Sequence, residues 1–227
     1  MSIYAIGDLH LSFGEKKDMN IFPGWENYVE RLERNWRRVV QPEDTVVVAG
    51  DVSWAMKLEN TLKDFQFIDS LPGQKYLMKG NHDYWWTTAS RMNRFLKEQG
   101  LNSLHILHNN AAVAEGLALC GSRGWMFEEG EREDGSITAR EAGRIRLSLE
   151  AAPPDAEKIL FLHYPPVFGD QCIPEFFDLM KEYGVRECYY GHLHGEAIPL
   201  AFQGEFFGVD CRLISADYLH FCPQKIR

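Results

Sequence analysis

Side chains that can bind metal ions recur along this chain in five short blocks. Each block follows an apolar run rich in β-forming residues, so we expect it at the end of a buried strand. Open α/β sheets place their ligand sites at strand ends. Core packing does not require Asp, Asn and His at these points, whereas a site for two metal ions does. The blocks are Asp8 and His10; Asp51; Asn81, His82 and Asp83; His163; and His192 and His194.

Seven of these side chains are candidate metal ligands: Asp8, His10, Asp51, Asn81, His163, His192 and His194. One tetrahedral zinc ion cannot use so many, but two ions ~3.5–4 Å apart with a carboxylate between them can. Two such ions bind the oxygens of a phosphate, lower the pKa of a shared water and stabilise the charge of the transition state. Imidazole, carboxylate and amide ligands without a thiolate indicate manganese, iron or zinc.

The order of the blocks resembles that of the calcineurin-like metallophosphoesterases. This family carries Asp-x-His, Gly-Asp, Gly-Asn-His-Asp/Glu, a later His and Gly-His-x-His, and all five motifs occur between Asp8 and His194. The resemblance implies an α/β fold, a two-sheet β-sandwich with flanking helices, and a dinuclear site at the strand ends. It also implies an allocation of ligands: Asp8, His10 and His194 for the first metal, Asn81, His163 and His192 for the second, and Asp51 bridging the two.

The same resemblance implies the chemistry. His82 would be the general acid that protonates the leaving-group oxygen, and Asp83 would orient His82. The expected reaction is hydrolysis of a small phosphodiester or nucleotide by a hydroxide that two divalent ions, Mn, Fe or Zn, activate. The expected partner is therefore a small phosphorylated substrate.

One branch of the family is disfavoured by the sequence. Phosphoprotein phosphatases carry Gly-Asp-x-x-Asp-Arg-Gly, whose arginine binds phosphate, whereas residues 50–54 read Gly-Asp-Val-Ser-Trp. Lys79 and Arg123 are candidates for a replacement cation. A phosphomonoesterase, a nuclease and a non-catalytic scaffold with this fold stay open as alternatives, although the complete set of ligands disfavours the scaffold.

Several other residues are interpreted without a motif to guide them. The aromatic run 84–86 is either core packing or a stacking wall for a flat group beside the metals, which Trp54, Trp125 and Phe127 could extend. Five more residues are interpreted as structural, turn or cap residues: His105, His108, His220, Asp210 and Asp217.

Periodicity and turn residues predict a single domain, residues 1–227, that begins β-α-β-α-β. Strands 103–108 and 111–120 are expected to pair across Asn109 and Asn110, and 127–136 to form an acidic loop. Helices are predicted at 25–40, 58–71, 87–99, 138–149 and 174–183. The other strands are predicted at 3–6, 45–49, 76–78, 158–162, 186–190, 197–202, 205–209 and 212–215.

The composition is that of an ordinary globular protein, with 45% hydrophobic and 25% charged residues. The net charge of −9 disfavours a non-specific nucleic-acid binder, which needs a cationic surface, although a local basic channel stays open. Five cysteines without a Cys-x-x-Cys pair, and an N-terminus without a charged and apolar leader, predict a cytoplasmic protein that does not enter the membrane. The sequence leaves the oligomeric state open.

Overall fold

Two β-sheets lie face to face in the computed structural model, and helices cover the outer side of each sheet. The structure describes residues 1–15, 17–126, 135–169 and 171–227. The arrangement is the predicted α/β sandwich of two sheets with flanking helices. No helix in the described part of the chain is long and apolar enough to cross a bilayer.

The described residues form α-helices and β-strands with the following bounds. The helices are α1 (Tyr28–Val39), α2 (Leu62–Ser70), α3 (Ala89–Glu98), α4 (Gly135–Glu150) and α5 (Pro174–Glu182). The strands are β1 (Ile3–Ile6), β2 (Thr45–Val48), β3 (Gln74–Leu77), β4 (Leu104–Ile106), β5 (Asn110–Ala114), β6 (Leu117–Ser122), β7 (Glu157–Leu162), β8 (Val167–Phe168), β9 (Gln171–Cys172), β10 (Glu187–Tyr190), β11 (Gly204–Phe206), β12 (Val209–Leu213) and β13 (Gln224–Lys225).

The first sheet has the order β13-β1-β2-β3-β4. Strands β1 to β4 are parallel, with α1, α2 and α3 in the connections between them, and β13 is antiparallel at one edge. The second sheet has the order β11-β12-β10-β7-β6-β5, with four parallel strands between two antiparallel edge strands. Because parallel strands end at the same edge of a sheet, the loops after β1, β2 and β3 are neighbours, and so are those after β7 and β10.

The central strands of the two sheets are mainly apolar on both faces because each face is covered. In β1, Ile3 and Ala5 join the core between the sheets, where they meet Phe161 and Tyr189 of the second sheet. The alternate residues of β1 belong to a separate core beneath the helices of the first sheet. Side chains alternate along a strand, so burial of both faces explains the continuous apolar runs seen in the sequence.

The predicted pairing of 103–108 with 111–120 is wrong. Strand β4 pairs with β3 in the first sheet, whereas β5 and β6 form a hairpin in the second sheet. The turn of that hairpin is Glu115-Gly116, with φ of 51° and 78°. Asn109, which has a positive φ, lies instead in the connection from β4 in the first sheet to β5 in the second sheet. The turn was missed because apolar residues on both sides of Glu115-Gly116 made 111–120 look like one strand.

The C-terminal strands also differ from the prediction. Residues 197–202 are not a strand, because Gly195–Leu200 forms a 3₁₀ helix that contains Pro199. The predicted strands 205–209 and 212–215 overlap β11 and β12 only in part, because the turn Phe207-Gly208 lies inside the first prediction and β12 begins at Val209. Proline lacks the N–H that a sheet ladder needs, and this explains the first difference. Of the predicted acidic loop, residues 127–134 lie outside the described residues, and 135–136 begin α4.

The Glu115-Gly116 turn gives a prediction about stability. A two-residue hairpin turn with positive φ at both positions favours Asn-Gly, because Asn tolerates the left-handed region better than Glu does. We expect Glu115→Asn to raise the free energy of unfolding by roughly 0.5–1 kcal/mol. Urea denaturation measures the change. Glu115→Gln removes the same charge but keeps the straight side chain, so an equal gain in that variant would contradict the conformational explanation.

Candidate metal centre

The loops that follow five strands meet at one edge of the sandwich. In the first sheet, β1 is followed by Asp8, β2 by Asp51 and β3 by Asn81. In the second sheet, β7 is followed by His163 and β10 by His192. The fold therefore brings all seven predicted ligands into one cluster of side chains linked by close contacts.

Four of these ligands have an unusual backbone conformation. The φ angle is 60° at Asp8, 46° at His10, 48° at Asp51 and 72° at His192. For a residue with a Cβ atom, the left-handed region costs roughly 1–2 kcal/mol. Folded proteins retain such strain mainly at functional sites. The concentration of positive φ angles at predicted ligands therefore supports a functional role for the cluster.

Two glycines let the backbone come close to the carboxylates. A Cβ atom on Gly80 would overlap the carboxylate of Asp51, and one on Gly191 would overlap that of Asp8. The same two loops donate backbone N–H bonds to these carboxylates, at 2.8 Å for Asp51 and 3.0 Å for Asp8. The backbone thus fixes the position of both carboxylates.

One group of three ligands is Asp8, His10 and His194, whose ligand atoms all lie within 4.8 Å of one another. The Nε2 atom of His194 lies 3.4 Å from Oδ1 of Asp8 and 3.3 Å from Nε2 of His10. These are the three residues predicted to hold the first metal ion.

The second group is Asp8, Asp51 and His163, also within 4.8 Å. Oδ1 of Asn81 lies 2.6 Å from Nε2 of His163 and 3.0 Å from Nδ1 of His192, so the three predicted ligands of the second ion adjoin this group. Oδ2 of Asp51 lies 3.7 Å from Nε2 of His163 and 3.7 Å from Nε2 of His10, which belongs to the first group. That intermediate position is the one expected of a bridging carboxylate.

Hydrogen bonds behind two of the ligands fix which imidazole nitrogen faces the cluster. Nδ1 of His163 donates to the carbonyl oxygen of Ala49 at 3.0 Å, so its Nε2 carries the free lone pair. Nδ1 of His194 donates to Oδ1 of Asp217 at 3.0 Å, which leaves Nε2 facing Asp8. Metal-binding histidines are commonly held in this way by a carbonyl or a carboxylate.

The sequence analysis missed the role of Asp217, which it interpreted as a turn or cap residue. Its other oxygen, Oδ2, accepts a hydrogen bond from the Gly195 N–H at 2.9 Å, so Asp217 fixes both the ring and the loop of His194. A signal was present, because Asp217 lies in the segment that follows a predicted strand, as the candidate ligands do. It belongs to none of the five motifs, and that is why it was overlooked.

The pKa values of the two buried carboxylates shift in opposite directions. Burial and the neighbouring Asp8 raise the pKa of Asp51 to about 8. Burial also acts to raise the pKa of Asp8, but His194, His163 and His10 together hold it well below its usual range. A divalent cation at this position would stabilise the charged form of both carboxylates.

The histidines are in the form that metal binding needs, with one exception. Burial lowers the pKa of His10, of His163 and of His192, the last to about 3, so these imidazoles are neutral. Burial acts in the same direction on His194, but Asp8 and Asp217 outweigh it and raise its pKa to about 10. An ion bound at that ring would displace a proton. Neutral imidazoles, two carboxylates and one amide oxygen fit a divalent ion such as manganese, iron or zinc.

His82 lies beside the cluster, with its ring 5.7 Å from that of His10 between centroids. Asp83 does not hydrogen-bond to the ring of His82, so the structure does not support its predicted orienting role. In the described residues, the oxygens of Asp83 accept from the N–H groups of Val52, Ser53 and Gly80 and from the indole of Trp85, and Nδ1 of His82 has no hydrogen-bond partner. Both oxygens of Asp83 are occupied, so this buried residue joins the loops that carry Asp51 and Asn81.

The aromatic residues near the site divide between the two interpretations. Trp85 is buried and packs edge-on against Phe65 at 5.1 Å, so it belongs to the core. Trp54 stacks on the ring of His10, with centroids 4.8 Å apart, so it supports a ligand directly. Tyr84 is exposed, with its ring 6.1 Å from that of His82. Phe127 lies outside the described residues.

The two candidate cations are placed differently. Lys79 is half-buried, and burial together with the charge of Arg123 lowers its pKa. Arg123 lies 4.0 Å from the buried carboxylate of Glu141, which also pairs with Arg144 at 2.6 Å. The charge of Arg123 is therefore partly offset by Glu141.

Comparison with known proteins identifies the family. The sequence profile of the calcineurin-like phosphoesterases matches residues 1–196. The chain belongs to this family. Its fold is similar to that of the phosphopantetheinyl hydrolase from Mycobacterium tuberculosis, with a TM-score of 0.58, 15% identity, and coverage of 99% of this chain and 95% of that one. A protein of unknown function from Aquifex aeolicus has a TM-score of 0.55 at 16% identity, with the same coverage. Comparison with the curated proteins gives no match.

The position of Asp51 predicts that its loss is more damaging than the loss of a terminal ligand. We expect Asp51→Asn to reduce metal content and turnover further than His10→Ala, because Oδ2 of Asp51 is equally close to a predicted ligand of each ion, His10 and His163. Excess metal should partly restore the turnover of His10→Ala, whereas the turnover of Asp51→Asn should stay low. Elemental analysis beside turnover measures both, and equal metal content in wild type and Asp51→Asn would refute the bridging role.

Asp217 gives a second prediction for this site. Asp217→Asn should weaken metal affinity by about 10–100-fold, because the amide holds the ring of His194 less firmly than the carboxylate does. Competition with a chelator of known affinity measures the change. Asp210→Asn is the matched control, since Asp210 pairs on the surface with Arg212. Equal affinities in the two variants would show that Asp217 does not support the site.

Proposed function

We propose that this phosphoesterase is a hydrolase that holds two divalent ions, manganese, iron or zinc, and cleaves a small phosphodiester or nucleotide. The observation that carries the proposal is the pair of ligand groups that share Asp8, with His82 beside them. The first ion would be held by Asp8, His10 and His194, the second by Asn81, His163 and His192, with Asp51 between them. When bound, such ions bind phosphate oxygens and lower the pKa of a water molecule.

His82 is proposed as the general acid. Its backbone N–H donates to Oδ1 of Asp51 at 2.8 Å, which fixes its loop next to the proposed bridging ligand. Its ring lines the same cleft as His10 and His194, where a phosphate ester on the ions would present its leaving group. Burial lowers the pKa of His82, and the negative charge of a bound phosphate would oppose that shift and favour the protonated acid.

The alternatives are weaker on specific grounds. A nuclease would need a cationic surface, and the net charge is −9. A protein phosphatase of the Asp-Arg-Gly type would need an arginine that residues 50–54 lack. A phosphomonoesterase is the main competing function. We also propose a cytoplasmic location, which the five free cysteines support.

A metal-supplemented screen tests the proposed function. The protein, loaded in turn with manganese, iron and zinc, is assayed with bis-p-nitrophenyl phosphate, p-nitrophenyl phosphate, cyclic nucleotides and nucleotides. We expect metal-dependent hydrolysis that favours the diester. A preference for the monoester would establish the competing function, and absence of hydrolysis with every metal would overturn the proposal.

The role of His82 predicts a dependence on the leaving group. His82→Asn should keep the metal content of the wild type but lower turnover by about 10²–10⁴-fold for an alkyl ester, whose alkoxide needs a proton. A p-nitrophenyl ester should suffer less, because p-nitrophenolate leaves without one. His108→Asn is the matched control, since His108 contacts Trp86 away from the ligands. An equal loss with both esters would mean that His82 is not a proton donor.

A further inference from the structure

A cleft of about 640 Å³ opens directly onto the candidate metal centre. Three imidazoles, those of His10, His82 and His194, lie along one side of it. If His82 protonates the leaving-group oxygen, that oxygen must lie within hydrogen-bond reach of its ring. The leaving group of the substrate therefore has this cleft as a place to extend.

The rest of the cleft is mainly apolar. Its other lining residues are Lys17, Met19, Phe22, Pro23, Trp25, Trp54, Gly195 and Glu196. Five of these are apolar or aromatic, and a volume of this size accommodates a small organic group. Because removing apolar surface from water is favourable, such a cleft favours an apolar ligand.

The rim of the cleft continues this apolar surface outward. Phe22 is 44% exposed and its neighbour Ile21 is 73% exposed, so two large apolar side chains stand in solvent next to the opening. Exposed apolar side chains beside a cleft are typical of a surface that a ligand covers.

Few polar groups are available to a ligand in the cleft. Apart from the three imidazoles, the described lining residues supply the side-chain charges of Lys17 and Glu196. The ammonium of Lys17 lies 2.9 Å from the ring centroid of Trp54, so it already has a cation–π partner. The indole N–H of Trp54 is directed to the sulfur of Met19 at 3.3 Å. Among the charged side chains of the described lining, this leaves the carboxylate of Glu196 for the hydroxyl groups of a sugar, so a sugar would find fewer hydrogen-bond partners here than in water.

We infer that this cleft binds the leaving-group alcohol of the substrate, and that this alcohol is an aryl or alkyl group and not a sugar or a nucleoside. The inference rests on the proposed function and narrows it to phosphodiesters of apolar alcohols. In the reaction, a water molecule loses a proton to solvent as its oxygen bonds to phosphorus, the bond from phosphorus to the alcohol oxygen breaks, and the proton of His82 passes to that oxygen. His82 then regains a proton from solvent.

The test compares methyl phosphodiesters that differ in the second alcohol: 2-phenylethanol, glycerol or uridine at its 5′ oxygen. With the metal-loaded enzyme, we expect kcat/KM to be highest for the phenylethyl ester. Phe22→Ser should lower the ratio of kcat/KM for the phenylethyl ester to that for the glyceryl ester by about tenfold, since it removes apolar contact with that ester alone. Because the ratio is taken within one variant, differences in metal loading cancel.

Phe207→Ser is the matched control, because Phe207 is 71% exposed on the β11–β12 turn and packs near Phe177 away from the cleft. It should leave the ratio unchanged. A wild-type preference for the glyceryl or uridine ester, or an equal ratio in Phe22→Ser and Phe207→Ser, would overturn the inference.

A binding measurement separates this inference from the proposed function. Trp25 and Trp54 line the cleft, so 2-phenylethanol should change the tryptophan emission of the metal-loaded protein, with weaker binding in Phe22→Ser. Binding without hydrolysis of any ester would overturn the function and retain the cleft. Hydrolysis without such binding would overturn the cleft and retain the function.

Discussion

Two buried carboxylates, Asp8 and Asp51, are the constraint on which the structure around the site depends. Burial and repulsion from Asp8 raise the pKa of Asp51. In the described residues the two carboxylates are surrounded by neutral imidazoles and the protonated ring of His194, with no Lys or Arg side chain paired to either. Backbone N–H groups and glycines hold the carboxylates where they are. Such an arrangement is less favourable without a cation, and this supports the proposed metal site.

The sandwich supplies the rigid frame that keeps these charges together. Parallel strands in each sheet deliver their loops to a common edge, and the core between the sheets fixes the two edges relative to one another. The ligands then need only short loops after their strands. Hydrogen bonds from His163 to Ala49 and from His194 to Asp217 set the direction of each ring. Precision at the site thus comes from the sheets, and specificity for a substrate is left to the segments around the cleft.

Much of the fold and site could be predicted because the motifs mark strand ends. Runs such as Thr45–Val48 are apolar without interruption, and the polar residue that follows each run is a ligand candidate. The hairpin turn at Glu115-Gly116 was not predicted, since apolar residues on both sides of it suggested one continuous strand and Glu is less typical than Asn at its first position. The family resemblance implied that Asp83 orients His82, yet the Asp83 carboxylate accepts hydrogen bonds from other donors. Asp217 needed the three-dimensional contact to reveal it.

The ligands come from opposite ends of the chain, since the carboxylate of Asp8 accepts a hydrogen bond from His192, 184 residues further along. During synthesis on the ribosome, Asp8 emerges early, whereas His192 and His194 are made near the end. The first sheet alone supplies only Asp8, His10, Asp51 and Asn81. A nascent chain would therefore complete the proposed metal site late, and metal uptake at that site would report assembly of the second sheet.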